Sequence, residues 1–249
     1  MPNRPGATPA RLTQIAAILF ISTALAACST TGSGPVEGSA PQAAAAVDPI
    51  YAQMYAAVED GEYTIPAVDV SKIDPQFLRQ MVDYSSPYPT GTIVVDPYAR
   101  FLYLTMEGGK AMRYGIGVAK AGLEFEGEAD LARKASWPGW TPTQDMIRRE
   151  PERYGPYAGG LEGGLENPLG ARALYLYQDG KDTLYRIHGT TEPWSIGQAV
   201  SSGCIRLLNQ DIIDLHSRVQ PGARIVVLGP DGRDSGETGT QIAGIGGAA

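Results

Sequence analysis

Cysteine, histidine and basic residues are all scarce in this chain. The 249 residues include 2 cysteines and 2 histidines, and 20 lysines and arginines are outnumbered by 27 aspartates and glutamates. The formal net charge of −7 argues against a nucleic-acid partner, because nucleic-acid-binding proteins present basic surfaces to phosphates. No apolar run reaches the ~20 residues of a membrane-spanning helix. No internal repeat is visible, and the length suits one domain of ordinary size with extensions.

The N-terminal segment has the layout of an export signal. A weakly basic stretch precedes a short apolar run at 15–21, and the segment closes with Leu-Ala-Ala-Cys28. This order is typical of a signal peptide, and its last four residues resemble the bacterial lipoprotein cleavage box. We therefore expect residues 1–27 to be removed and Cys28 to be lipidated. An ordinary secretory signal cleaved near Ala27 is the alternative, and either route exports the protein.

Composition divides the rest of the chain into four parts. Residues 28–49 are mainly Gly, Ser, Pro and Ala, which predicts a flexible tether. Residues 50–90 carry apolar side chains with helix-like spacing in two pieces and predict a flanking segment that packs on the main domain. Residues 91–229 form that domain. The Gly-rich tail at 230–249 is expected to be disordered.

The main domain is predicted to be mainly β. β-prone runs bounded by turn residues occur at 92–95, 101–106, 111–118, 173–177, 183–187 and 224–228. The fourth and fifth runs flank Asp-Gly and predict a hairpin whose second strand ends at His188. A helix is expected to begin with Asn209 as its N-cap.

A free thiol and an imidazole lie close together in the sequence. With Cys28 lipidated, Cys204 has no disulfide partner, and a lone thiol in an oxidising compartment usually has a function. His188 lies in Ile-His-Gly-Thr, and Cys204 lies in Ser-Ser-Gly-Cys-Ile-Arg. An imidazole can take the proton of a thiol that attacks a carbonyl, and the N–H groups of Ser202, Gly203 and Cys204 are natural oxyanion donors. The pattern predicts thiol acyl transfer, with a buried structural cysteine as the alternative.

Other candidates have two interpretations each. Arg206 could bind a substrate carboxylate or brace the loop. Three tryptophans could line a glycan or peptide groove or anchor a loop or the core: Trp194, Trp137 and Trp140. His216 is expected to face solvent near the end of the helix. The Gly-rich stretch 157–164 lacks the Gly-Lys-Ser/Thr ending of a phosphate-binding loop. It could instead form a mobile lid over the site. Two histidines and one free thiol leave no ligand set, so no metal or other cofactor is expected.

These motifs carry a family resemblance. Together with Asn-Pro-Leu-Gly at 167–170 and Glu-Pro-Trp-Ser-Ile-Gly at 192–197, they resemble the L,D-transpeptidase catalytic domain (ErfK/YkuD type), which cross-links or modifies bacterial peptidoglycan. The likeness covers about 91–228 and implies a mainly β, sandwich-like domain with short helices. It also implies that the carbonyl of Gly189 orients the His188 ring. Many members have histidine where this chain has Ser202.

The resemblance implies a reaction and its partners. Cys204 would attack the L-to-D bond of a peptidoglycan tetrapeptide stem, expel D-Ala and hold a thioester that an acceptor amine resolves. The acceptor could be a second stem, which gives a 3–3 cross-link, a lysine of an outer-membrane protein, or a free D-amino acid. The protein would be a periplasmic lipoprotein, and Ser29 after Cys28 favours the outer membrane.

Several alternatives stay open at this point. Water as acceptor would make the protein an L,D-carboxypeptidase or a cross-link hydrolase with the same acyl-enzyme. A sortase also has His, Cys and Arg in this order but with much wider spacing, and a papain-like peptidase has Cys before His. A catalytically inactive wall-binding lipoprotein is the non-enzymatic alternative, which the presence of both His188 and Cys204 disfavours.

Overall fold

Two lengths of chain, residues 48–123 and 125–230, are described by the structure, which is a computed structural model. The predicted signal peptide, Cys28 and nearly all of the predicted tether and tail lie outside the described residues. Within the described part, no helix is long and apolar enough to cross a membrane.

The described residues form strands β1 to β13 and helices α1 to α4. The strands are β1 Val58–Asp60, β2 Tyr63–Ile65, β3 Gln80–Asp83, β4 Ile93–Asp96, β5 Phe101–Met106, β6 Lys110–Gly115, β7 Val118–Ala119, β8 Gly127–Ser136, β9 Arg172–Gln178, β10 Lys181–His188, β11 Ala199–Ser201, β12 Ile205–Arg206 and β13 Arg224–Val227. The helices are α1 Pro49–Met54, α2 Gln144–Arg149, α3 Pro151–Tyr154 and α4 Asn209–Arg218, with short 3-10 turns at Val70–Lys72, Pro75–Phe77, Gly155–Tyr157 and Pro193–Ser195.

One large sheet dominates this part of the chain. Nine of the described strands join it in the order β12-β10-β9-β8-β13-β4-β5-β6-β3, and only β10–β12 and β13–β4 are parallel pairs among them. Just after β6, the backbone of Gly117 exchanges two hydrogen bonds with Arg206 of β12, at 2.9 and 2.8 Å. The sheet therefore curls until its two ends approach each other.

The curled sheet encloses a single main core. Leu102 and Leu104 lie on the buried face of β5. They pack in one cluster with Leu174 of β9, Ile187 of β10 and Ile212 of α4. Because strands from both halves of the sheet contribute to this cluster, the two halves face each other as layers. The mainly β fold predicted from the sequence is confirmed.

The hairpin of β9 and β10 places His188. Its two-residue turn has Asp179 and Gly180 at φ +51° and +74°, the conformation that a type I′ turn requires and that Asp-Gly adopts readily. His188, the last residue of β10, stands opposite Ala173 of β9 and Arg206 of β12. The predicted hairpin therefore ends at the imidazole, between two paired strands.

Some expectations about single elements are wrong. The second apolar piece of the flanking segment forms no helix: it makes a 3-10 turn at Pro75–Phe77 and then β3, because the free edge of β6 offers backbone partners. β6 ends at Gly115, earlier than expected, and β8 was not expected at all. Asn209 is not the N-cap of α4. Leu208 holds that position, and the Asn209 side chain bonds elsewhere.

Candidate active site

His188 is buried and held by its own neighbour. Its side chain lies beneath the surface, with 4% of the residue exposed, and Nδ1 is 2.6 Å from the carbonyl oxygen of Gly189. A carbonyl can only accept, so Nδ1 carries the proton and Nε2 keeps its lone pair. This is the contact that the family resemblance implied for Gly189. It leaves the other ring nitrogen available as a base.

Cys204 reaches the same place from the adjacent strand. It immediately precedes β12, which runs parallel to β10 with Ile205 opposite Ile187. The thiol is partly buried, and Cys204 and His188 line one cavity. The parallel pairing of β10 and β12 therefore brings the two predicted residues together.

Burial holds both groups in their neutral forms. Desolvation, together with the positive charges of Arg206 and Arg186, lowers the pKa of His188 to about 3, although the Gly189 hydrogen bond acts in the opposite direction. Desolvation also raises the pKa of the Cys204 thiol, although the Arg186 N–H and both guanidinium groups oppose that rise. At neutral pH the free site therefore holds a thiol and an uncharged imidazole.

The cavity over these residues measures about 360 Å³. One wall comes from the strand ends around the pair: Thr191, Glu192, Ser201, Ser202 and Arg206. A second part of the lining comes from the connection between β8 and β9, residues 139–169, which we call the cap. It contributes Gly139, Trp140, Thr141, Thr143, Met146, Arg153, Tyr154, Tyr157, Leu161, Glu166, Pro168 and Leu169. Tyr175, Leu184 and Arg186 complete the lining.

Hydrogen bonds of the Ser201 side chain hold the loop before Cys204 in place. The Ser201 hydroxyl donates to the Cys204 carbonyl at 2.6 Å and accepts from the Gly203 N–H at 3.3 Å. Gly203 has φ +146°, a conformation that side chains disfavour and glycine adopts without strain. The backbone N–H groups predicted as oxyanion donors, those of Ser202, Gly203 and Cys204, thus belong to one tightly turned loop beside the cavity.

Arg206 and Trp194 differ in where they lie. The Arg206 guanidinium donates from Nη1 to Glu192 Oε2 at 2.6 Å, so the bracing contact predicted for it is present. Its buried Nε has no hydrogen-bond partner in the described part of the chain, and the side chain lines the cavity. Trp194 is 60% exposed and is not among the cavity-lining residues. Substrate contact by either residue stays a prediction.

Asn209 clamps the backbone that carries His188. Its Oδ1 accepts from the Ala171 N–H at 3.0 Å, and its Nδ2 donates to the Thr190 carbonyl at 3.1 Å. A Cβ on Gly189 or Gly170 would lie only 2.2 or 2.3 Å from Asn209 Oδ1. Both glycines are therefore required by the close approach of this side chain. Reasoning from the sequence missed the clamp because its parts are far apart in the chain.

The sequence predicted the cap only in part. Trp140 packs against Tyr154 and Tyr157, with ring centroids 6.1 and 5.9 Å apart, and Trp140 exchanges two backbone hydrogen bonds with Leu161, at 2.8 and 2.7 Å. The two arms of the cap are thereby joined. Trp140 was considered as a groove residue and the stretch 157–164 as a lid, and both belong to the cap.

The arrangement suits thiol-dependent acyl transfer. One cavity brings together a thiol, an oriented neutral imidazole and a turn with backbone N–H groups. These three groups are what thiol-dependent acyl transfer requires. In residues 48–123 and 125–230, no three His, Cys, Asp or Glu side chains are grouped as metal ligands would be.

Comparison with known proteins identifies the family. Residues 90–227 match the model of the YkuD family, the L,D-transpeptidase catalytic domain. The chain is 33% identical over 140 residues to the probable L,D-transpeptidase ErfK/SrfK of Escherichia coli strain K12, covering 55% of this chain and 44% of that protein. It is 32% identical over 142 residues to the probable L,D-transpeptidase YbiS of the same strain, covering 57% and 40%. The chain thus spans less than half the length of these curated relatives. It belongs to the L,D-transpeptidase catalytic domain family, a family of transferases.

A solved structure is also similar in sequence. It is a crystal structure from Brucella melitensis, of a protein named as a probable carnitine operon oxidoreductase caia. The identity is 51%, and the match covers 64% of this chain and 99% of that chain, with a TM-score of 0.44. A TM-score of 0.44 does not establish a shared fold or function.

Proposed function

We propose that this protein transfers peptidoglycan stem peptides through a thioester on Cys204. The observation that carries the proposal is the pairing of β10 with β12, which puts Cys204 and the oriented His188 ring on one cavity. The donor substrate is a tetrapeptide stem, cleaved at its L-to-D bond. The products are 3–3 cross-links, or protein or D-amino acid attached to the wall.

The first half-reaction forms the thioester. As the Cys204 sulfur attacks the carbonyl carbon, His188 Nε2 takes the thiol proton, and the carbonyl oxygen becomes an oxyanion. Collapse of this intermediate breaks the peptide bond, and His188 returns the proton to the amine of the departing D-Ala. Because the resting pair is neutral, proton transfer accompanies attack and does not precede it.

The second half-reaction resolves the thioester. An acceptor amine attacks the acyl carbon, His188 takes a proton from the amine, and the sulfur leaves and recovers that proton. The N–H groups of Ser202 and Cys204 serve as donors to the oxyanion in both halves, and the Gly203 N–H joins them by exchanging the Ser201 hydroxyl for the oxyanion. The cations Arg206 and Arg186 favour negative charge at the sulfur and the oxyanion, the same effect by which they oppose charge on His188.

The acceptor distinguishes the remaining alternatives. A second stem, a lysine of an outer-membrane protein or a free D-amino acid gives transpeptidation, while water gives an L,D-carboxypeptidase or a cross-link hydrolase. We place the protein in the periplasm, anchored by lipid on Cys28 and directed to the outer membrane. The intact mass of the mature protein should then exceed that of the unmodified 28–249 chain by at least a diacylglyceryl group, and an unmodified N-terminus would contradict the anchor.

Purified muropeptides and mass spectrometry test the activity. Wild-type protein is expected to form a covalent adduct on Cys204 with loss of D-Ala, followed by dimers, exchanged monomers or trimmed monomers according to the acceptor. Cys204→Ala should abolish adduct and product while thermal unfolding stays close to wild type. Cys204→Ser should restore little, because an alkoxide is far harder to form than a thiolate. Unchanged turnover in Cys204→Ala would refute the mechanism, and an inert, folded wild type would favour the wall-binding alternative.

A further inference from the structure

Two residues of the cap form hydrogen bonds with Ser202, in the loop before Cys204. The Ser202 hydroxyl is 2.7 Å from the Tyr154 hydroxyl, and Arg149 reaches the Ser202 carbonyl at 3.4 Å. The contact joins residues far apart in sequence, and it is therefore a product of the tertiary fold.

Tyr154 is well placed to hold a neighbour still. It ends α3, and the residue is 6% exposed. Its ring packs edge-on against Trp140 at 6.1 Å, and the Arg153 guanidinium lies 5.2 Å from its centroid. A ring fixed on two sides loses little further freedom when its hydroxyl makes a hydrogen bond. The Tyr154 hydroxyl is thus a rigid anchor at the edge of the cavity.

The orientation of Ser202 determines where the next N–H groups point. The Gly203 and Cys204 N–H groups follow directly in the chain, and glycine at 203 gives the backbone more freedom than other residues would. Ser201 restrains the loop from inside through its contacts with Gly203 and Cys204. The Ser202–Tyr154 hydrogen bond restrains it from the cap side. The loop is held between these two hydroxyl contacts.

We infer that Tyr154 is a positioning residue for the acyl-transfer reaction. Its hydroxyl holds Ser202, and through Ser202 it keeps the oxyanion donors aimed at the carbonyl under attack. The inference rests on the proposed function of Cys204. Oxyanion donors act only when preorganised, so loosening this contact slows thioester formation without weakening stem-peptide binding. The cap thereby supplies the hydrogen-bond partner of the Ser202 hydroxyl.

Single-turnover acylation by a tetrapeptide muropeptide, followed by mass spectrometry, tests this role. Tyr154→Phe keeps the ring and removes only the hydroxyl, and Ser202→Ala removes the other partner. Each variant is expected to lower the maximal acylation rate by about 10-fold to 100-fold, less than the 10² to 10³ for deleting an oxyanion donor outright. The muropeptide concentration at half-maximal rate should stay unchanged, as for an interaction that matters only in the transition state.

Three further variants separate positioning from general damage. The double variant Tyr154→Phe with Ser202→Ala should be no slower than either single variant, because both remove one hydrogen bond. Ser202→Thr retains the hydroxyl and should recover most of the rate. Tyr63→Phe is the matched control: its hydroxyl donates to the Gly163 carbonyl of the cap at 3.3 Å, away from the loop, and its acylation rate should equal that of wild type.

The outcomes are distinct. A wild-type rate in Tyr154→Phe overturns the inference, and so do multiplied losses in the double variant or a slow Tyr63→Phe. A higher half-saturating concentration at an unchanged maximal rate also overturns it, because Tyr154 would then be a binding residue. Thermal unfolding of each variant shows whether the fold is kept, and a misfolded Tyr154→Phe leaves Ser202→Ala and Ser202→Thr to decide. If wild-type protein forms no adduct on Cys204, the proposed function fails and this inference fails with it.

Discussion

Alkylation of Cys204 in the free protein should follow the titration of an unassisted thiol. With a pKa of about 3, His188 is protonated in roughly one molecule in ten thousand at pH 7, whereas an ordinary imidazole would be protonated in about a quarter of them. A thiolate–imidazolium pair needs that proton on His188. The same burial that removes it also raises the pKa of the thiol. The free site should therefore contain very little thiolate near neutral pH.

The rate of iodoacetamide labelling measures the thiolate directly. Below the pKa of the thiol, the rate should rise about tenfold for each pH unit from pH 5.5 to 8, without a step near 6.5. His188→Ala should have nearly the same labelling profile, because neutral His188 contributes no charge to the free thiol. Acylation by a tetrapeptide should behave differently, and His188→Ala should slow it by the ~10² to 10⁴ typical of a lost general base.

The label is mapped to Cys204 by peptide mass spectrometry, with Cys204→Ala as the blank. A labelling rate that stays level from pH 5.5 to 7 in wild type would show a preformed ion pair and refute this reasoning. A large loss of labelling in His188→Ala at pH 6 would do the same. An acylation rate indifferent to His188 would remove the base from the mechanism.

Two predictions concern stability. Asn209→Ala removes the hydrogen-bond partners of the Ala171 N–H and the Thr190 carbonyl. Each buried group left without a partner lowers the free energy of unfolding by about 1–3 kcal/mol. We therefore expect urea denaturation to show a free energy of unfolding lower by about 2–6 kcal/mol, and a loss below about 1 kcal/mol would contradict the clamp. Burial raises the pKa of Asp211 to about 7, opposed mainly by Arg79. Asp211 in the folded protein then keeps a proton that the unfolded chain releases at about pH 3.9. The free energy of unfolding therefore falls as the pH rises from about 3.9 to about 7. Asp211→Asn should flatten this slope, and equal slopes in both proteins would exclude the assignment.

The candidate pair could be predicted because its signals are local. Cys204 and His188 each lie in a short stretch of small residues, and a lone thiol near an imidazole has few other uses. The Asp-Gly turn and the alternating apolar residues of β5 also act within a few residues. For such features, the chemistry or backbone preference of neighbouring residues determines the outcome.

Other elements depended on partners that the pattern does not reveal. β8 contains Ala, Glu, Leu, Arg and Lys, residues that favour helices, but it is a strand because β13 and β9 hydrogen-bond its two edges. Asn209 has a good N-cap side chain, yet that side chain bonds the backbone beside His188. His216 was expected to face solvent, but it is partly buried near Lys134, and burial lowers its pKa to about 4.

The sequence by itself determined the reactive groups, the β class and the family resemblance, because residue identity and short-range spacing are enough for each. Only the tertiary structure decided that both reactive groups are neutral, that Asn209 and the cap belong to the site, and that Tyr154 contacts Ser202. Burial, charge and hydrogen bonding depend on which distant segments meet. In this chain, the curling of the sheet and the path of the cap bring those segments together around Cys204.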